Sequence, residues 1–178
     1  MKILAISGSL RAASHNTALL RAAARLAPAE IDIELYRELG KLPLFNPDIE
    51  VCDSPLIANL RAKLIDADAV LIASPEYAHG ITGTMKNALD WMVSTEAFVN
   101  KPVALMNASP RAVHADAALR ETLAVMSALV IKEASITLPL LGSGLSESGI
   151  VNHPEISSAI RSSIIAIQTA ISHLDGRR

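Results

Sequence analysis

A chain of 178 residues, 51% of them hydrophobic, carries enough apolar surface for one continuous core, so a single domain spanning 1–178 is expected. Its 16 basic and 18 acidic residues are scattered, and a net charge of -2 with no Lys/Arg block excludes a phosphate-backbone or anionic-membrane footprint, so neither nucleic acid nor membrane is an expected partner. Cys52 is the sole cysteine, which excludes an internal disulfide and a multi-cysteine metal centre, and the opening MKILAISGSLR is too brief an apolar run to span a bilayer, so a cytoplasmic protein is expected.

Ile3 to Ile6 is an apolar run closed by Ser7-Gly8-Ser9, the pattern of a strand buried on both faces. Leu19, Ala23 and Leu26 then recur at helical spacing before Pro28, predicting a helix from about Thr17 to Leu26. Ile31, Ile33 and Leu35 alternate with Asp32 and Glu34, which predicts a strand with one wetter face at a sheet edge. Gly40 to Asp53, with Pro43, Asn46, Pro47 and Asp48, reads as irregular. Asp53-Ser54-Pro55 opens a second helix along Ile57, Leu60 and Leu64.

Ala69 to Ala73 is the next buried strand, ended by Ser74-Pro75, and a third helix starts near Gly83-Thr84 with Met85, Ala88, Leu89 and Met92 on one stripe. Pro102 to Met106 gives a fourth strand. Leu119, Leu123, Met126 and Val130 predict a fourth helix, Ala134 to Leu138 a fifth strand, and Ile156, Ile160, Ile164, Ile167 and Ile171 a last helix. Strands too apolar to face water, alternating with helices, imply an α/β fold whose parallel sheet is covered on both faces. Five strands favour the doubly wound, flavodoxin-like order 2-1-3-4-5, in which a ligand lies beyond the carboxyl ends of strands one, three and four.

The first of the loops at those ends, Ser7 to Thr17, holds hydroxyls, the Asn16 amide and the Arg11 cation ahead of a helix start. It suits a phosphate monoester, because helix N-terminal N–H groups and a guanidinium both attract the dianion. It equally suits a serine-capped helix with a solvated arginine. The P-loop pattern and the multi-glycine dinucleotide fingerprint are absent, and the acidic positions of a receiver domain are held by Ser7, Gly8, Ser74 and Pro75. In the second loop, Ser74 to Gly83, Gly80 and Gly83 permit a tight turn or the close approach of a planar ligand, while Tyr77 is either a ligand wall or a half-buried aromatic.

Gly8-Ser9-Leu10-Arg11 with Ser14 and Asn16, then Pro75-Glu76-Tyr77, then Lys86-Asn87-Ala88-Leu89-Asp90-Trp91 resemble the NAD(P)H-dependent FMN reductase family across nearly the whole chain. The resemblance implies that Ser9, Arg11, Asn16 and Thr17, with Ser14 in the same turn, hold the phosphate of FMN. It implies that Pro75, Glu76, Tyr77 and His79 line the isoalloxazine, and that Ser109, in Asn107-Ala108-Ser109-Pro110-Arg111, reaches the flavin edge. The chain departs from the family after Ser109-Pro110, where Arg111, Ala112, Val113 and His114 replace glycine and small residues; Arg111 is either a contact for the extra phosphate of NADPH or a solvated side chain.

The activity implied is hydride transfer from NADPH or NADH to FMN and onward, by a ping-pong mechanism, to a small acceptor such as a quinone, free flavin, azo compound or metal oxyanion. No catalytic side chain is required. Backbone N–H groups near Glu76 and Tyr77 would steady negative charge on the ring, and His79 is a candidate proton donor to a quinone. A homodimer or homotetramer is implied, with Trp91 at a subunit contact. The rival reading is a flavodoxin-like electron carrier, against which the weak net charge speaks, since such carriers dock through an acidic face.

Overall fold

Lys2–Ser7 (β1), Ala69–Ala73 (β3) and Pro102–Asn107 (β6) form the centre of the sheet, and all but Lys2 of their side chains are buried. A computed structural model of the protein, describing residues 1–175, gives the remaining elements as α1 (His15–Leu26), β2 (Asp32–Tyr36), α2 (Pro55–Asp66), β4 (Glu76–Tyr77), β5 (Gly80–Ile81), α3 (Gly83–Met92), α4 (Val113–Val125), β7 (Leu129–Val130), β8 (Ile136–Thr137), α5 (Glu147–Asn152) and α6 (Pro154–Asp175). Short 3₁₀ turns at Leu39–Lys41 and Val51–Asp53 punctuate the long loop after β2.

The main sheet runs β2-β1-β3-β6-β7 with parallel neighbours; Ile3 sits opposite both Ile33 and Ala69, and Leu71 opposite Ala104. Strands without a wet face need a helical layer on each side. One layer packs Leu19, Leu20 and Leu26 of α1 with Ile160, Ile164 and Ile167 of α6; the other packs Ile57, Leu60 and Leu64 of α2 with Met85, Leu89 and Met92 of α3 and Leu119 and Leu123 of α4. This is the doubly wound, flavodoxin-like arrangement, and its crossovers bring the loops after β1, β3 and β6 to one end of the sheet.

The fifth sheet position departs from the expected single strand. It is shared by β7, which pairs with Pro102 and Val103, and β8, which pairs with Met106 and Asn107. Between them the chain turns at Lys132, and the Ser135 hydroxyl accepts the N–H of Leu105 at 3.1 Å while donating to the Ile131 carbonyl at 2.8 Å. One side chain therefore replaces the missing rung of the ladder.

The predicted fourth helix is also too long. Helix α4 ends at Val125, Ser127 takes φ +61°, and Val130 belongs to β7. Leu119, Leu123, Met126 and Val130 at spacings of four, three and four satisfy a helix stripe, yet Val130 is instead placed opposite Val103 on the parallel sheet. Among the described residues no helix is long and apolar enough to cross a membrane.

Candidate functional site

Chain reversal after β1 requires a glycine. The Gly8 N–H donates to Ala73 O at 2.8 Å, and the Thr82 hydroxyl donates to Gly8 O at 2.7 Å, so the turn is clasped between β3 and the start of α3. A Cβ at this position would lie 2.8 Å from Ser74 Cβ and closer still to Ser74 Oγ. Beyond Gly8 the turn is organised by hydroxyls: Ser9 Oγ accepts the N–H of Arg11 at 3.4 Å, and Ser14 Oγ caps α1 by accepting the N–H of Thr17 at 3.3 Å. The first-turn amides of His15 and Asn16 have no intrahelical acceptor, as at any helix start. Both residues line an adjoining cleft.

That cleft, of about 280 Å³ and half open to solvent, lies beyond the carboxyl ends of β1, β3 and β6. Ser9, Arg11, Ser14, Asn16, Pro75, Glu76, Tyr77 and Ser109 all border it. Two of the predicted residues do not. The Thr17 hydroxyl is engaged 2.7 Å from Ser7 Oγ at the floor of the turn, and the His79 ring lies outside the cleft, stacked on His114. Arg111, the candidate contact for the phosphate of NADPH, borders it too, and the structure adds Ala13, His15, Asn107, Ala108, Ala112 and Leu141 to the wall.

Asn107 shapes its loop from within: its Oδ1 accepts the N–H of Ser109 at 2.9 Å and its Nδ2 donates to Ala112 O at 3.3 Å. A polar residue closing an otherwise apolar strand was the available sequence signal. Leu141 carried none, because it arrives from the segment after β8, held by a bond from its own N–H to Ala108 O at 3.2 Å.

The loop after β3 is a two-residue hairpin. Glu76 pairs with Ile81 and Tyr77 with Gly80, and the turn is made by Ala78 and His79 at φ +49° and +58°. Two consecutive positive φ values are the signature of the turn that matches strand twist. Of the two uses expected for Gly80 and Gly83, a tight turn or the close approach of a planar ligand, the turn falls elsewhere: neither has positive φ, and left-handed backbone falls on two residues with a Cβ, at about 1–2 kcal/mol each.

Glu76 acts across the cleft. Its Oε2 accepts the N–H of His114 at 2.8 Å and of Ala115 at 2.9 Å, capping α4, whose own N-cap residue Ala112 has no side chain able to do so. The Ala115 amide, foremost, and the His114 amide hold this carboxyl below its usual range against the opposing effect of desolvation. Tyr77 is 60% exposed, a flat wall with one side free.

The Lys86–Trp91 segment serves as a clamp. Asn87 Oδ1 accepts the N–H of Phe45 at 2.7 Å, Asn87 Nδ2 and Trp91 Nε1 donate to Pro43 O at 2.9 and 2.8 Å, and Lys86 pairs with Asp90. Trp91 itself is 1% exposed and packs edge-to-face with Phe45, so it is a core residue of the chain.

A family model described as NADPH-dependent FMN reductase matches residues 1–140. The chain belongs to this family. It is 30% identical to an NAD(P)H-dependent FMN reductase of Pseudomonas aeruginosa over 99% of this chain and 98% of that protein, and 32% identical to a quinone reductase of Pseudomonas putida over 84% of each. In fold it is similar to a flavoenzyme NAD(P)H:(acceptor) oxidoreductase of Paracoccus denitrificans, with a TM-score of 0.79 at 23% identity, covering 94% of this chain and 97% of the other.

In this FMN reductase family member the fit of the cofactor is tested by Asn16, which lines the cleft. Asn16 is 7% exposed and its Oδ1 is a buried acceptor without a hydrogen bond among the described residues. A buried polar atom left alone costs about 1–3 kcal/mol. A ribityl hydroxyl would satisfy it, and the Arg11 cation and the α1 N-terminus beside it suit a phosphate dianion. The donor set fits FMN.

Proposed function

We propose that the protein is an FMN-dependent NAD(P)H oxidoreductase that delivers electrons to a small acceptor of the quinone type, free flavin, azo compounds and metal oxyanions being the other acceptor classes. The observation that carries this reading is the convergence of the Ser9–Asn16 turn and the Pro75–Tyr77 hairpin on one cleft, lined by Asn16, whose buried Oδ1 has no partner among the described residues. Arg11, Ser9 and the first-turn amides of α1 would hold the phosphate, Asn16 the ribityl chain, and Pro75, Tyr77 and Ser109 the edges of the ring system.

FMN held there would supply the redox chemistry between nicotinamide and acceptor. The chain's own part is placement. The hairpin and the loops after β1 and β6 wall one shared cleft, so nicotinamide and acceptor would enter it in turn, which supports ping-pong kinetics. Arg111 borders the cleft, which supports its reading as a contact for an added phosphate on the nicotinamide cofactor. His79 faces His114 and not the cleft, so a proton donor role for it has no support in this arrangement.

A homodimer or homotetramer is part of the same reading, supported by Leu44, 85% exposed beside Phe45. A cytoplasmic location is supported by the free, exposed Cys52. The test is to desalt FMN-loaded protein, look for retained flavin absorbance, and then follow NADPH and NADH oxidation with a panel of acceptors. Retained flavin with quinone-dependent turnover is expected; loss of all flavin on desalting refutes the reading.

A further inference from the structure

His79 and His114 belong to different elements, the turn between β4 and β5 and the first turn of α4, yet their imidazole rings stack with centroids 4.4 Å apart and planes 11° apart. Glu76 stands beside them, and the ligating atoms of the three residues all lie within 4.8 Å of one another. We propose that Glu76, His79 and His114 form a binding site for a divalent transition cation of the zinc class at the rim of the cleft.

Two imidazole nitrogens and one carboxylate oxygen, with water in a fourth position, are a set that zinc accepts. Ligand atoms about 2.1 Å from a tetrahedral ion stand roughly 3.4 Å apart, so the cluster needs to close by ~1.4 Å at most from its present limit. Both histidines are exposed, and small side-chain rotations cover that distance.

The carboxylate is already oriented. Both amide bonds from α4 fall on Glu76 Oε2, which leaves Oε1 for the ion and supplies the outer hydrogen bonds that ligating carboxylates ordinarily have. His79 is held toward its partner by backbone at φ +58°, a conformation that persists only where surrounding structure imposes it. An ion here would tie the β4–β5 turn to the start of α4, and Glu76 and Arg111 on these two segments both border the cleft. The ligands are all protein side chains, so the site does not depend on FMN being bound.

The test is calorimetric titration of Zn²⁺ into the full chain after dialysis against a chelator, with and without FMN. One equivalent is expected in both states, and His79→Ala and His114→Ala are each expected to weaken binding about tenfold or more, whereas His153→Ala leaves it unchanged. Glu76→Gln keeps an oxygen for the amides of His114 and Ala115 but removes the charge, and should weaken binding as well. On the unaltered protein, zinc should displace the ring NMR signals of two of the five histidines, those of His79 and His114. No uptake by the wild type, unmoved signals from these two rings, or wild-type affinity in the His79→Ala/His114→Ala double variant overturns the proposal.

Discussion

Gly8→Ala tests how tightly the first turn is built. The added Cβ meets Ser74 Cβ at 2.8 Å and Thr82 Oγ1 at 3.1 Å, where carbon atoms prefer about 3.5–4.0 Å, so the turn or β3 must move by roughly 1 Å. Overpacking of this kind costs about 1–3 kcal/mol. The same shift strains the hydrogen bond from Thr82 to Gly8 O, a further ~0.5–1.5 kcal/mol.

Together these give a loss of about 1.5–4.5 kcal/mol, or a fall in Tm of roughly 3–18 °C for a chain of this size. Denaturant unfolding and flavin titration are the assays, because moving this turn displaces Ser9 and Arg11 as well. Adding Ser74→Gly removes the two nearest atoms and should restore more than half of the lost stability. If Gly8→Ala unfolds at the wild-type midpoint, or Ser74→Gly brings no recovery, the close-approach argument is wrong.

Arg11→Ala should weaken FMN binding by about 1.5–3 kcal/mol, a 10–150-fold rise in Kd by fluorescence titration, with little change in Tm because the side chain is exposed. Ser135→Ala strands the Leu105 N–H between the two halves of the fifth strand position and should cost about 1–3 kcal/mol in urea unfolding; an unchanged midpoint would show that the hydroxyl is dispensable there. Ala78→Gly should raise stability by roughly 0.5–1 kcal/mol, since relief of about 1–2 kcal/mol at φ +49° outweighs the added freedom of the unfolded chain, and a lower Tm would contradict that balance.

The central strands were readable because each is an apolar run stopped by polar chemistry, Ser7-Gly8, Ser74-Pro75 or Asn107, and the loops at their ends followed from that placement. The end of α4 was not readable. Met126-Ser127-Ala128 contains neither glycine nor proline, and the left-handed turn falls on Ser127, so local chemistry gave no warning that the apolar spacing switches from helix to sheet. Ser9, Arg11 and Asn16 stood out as phosphate-loop chemistry, whereas the engagement of Thr17 with Ser7 is a choice between neighbouring hydroxyls that only packing decides. Glu76 shows the same limit at longer range: the N–H groups that donate to it lie 38 and 39 residues away, and no spacing rule connects a hairpin carboxylate with the amides of a distant helix.

The broken fifth strand position has a consequence for how these molecules behave when crowded. A long straight border of free amides and carbonyls invites another chain to dock alongside it, but here that border consists of two segments of two residues each, separated by a kink. The opposite border, β2, exposes Asp32 and carries Glu34 beside Lys63 at 2.7 Å. Neither flank offers the flat apolar template on which fibrils elongate, so the sheet can be almost wholly hydrophobic inside without seeding growth at its margins.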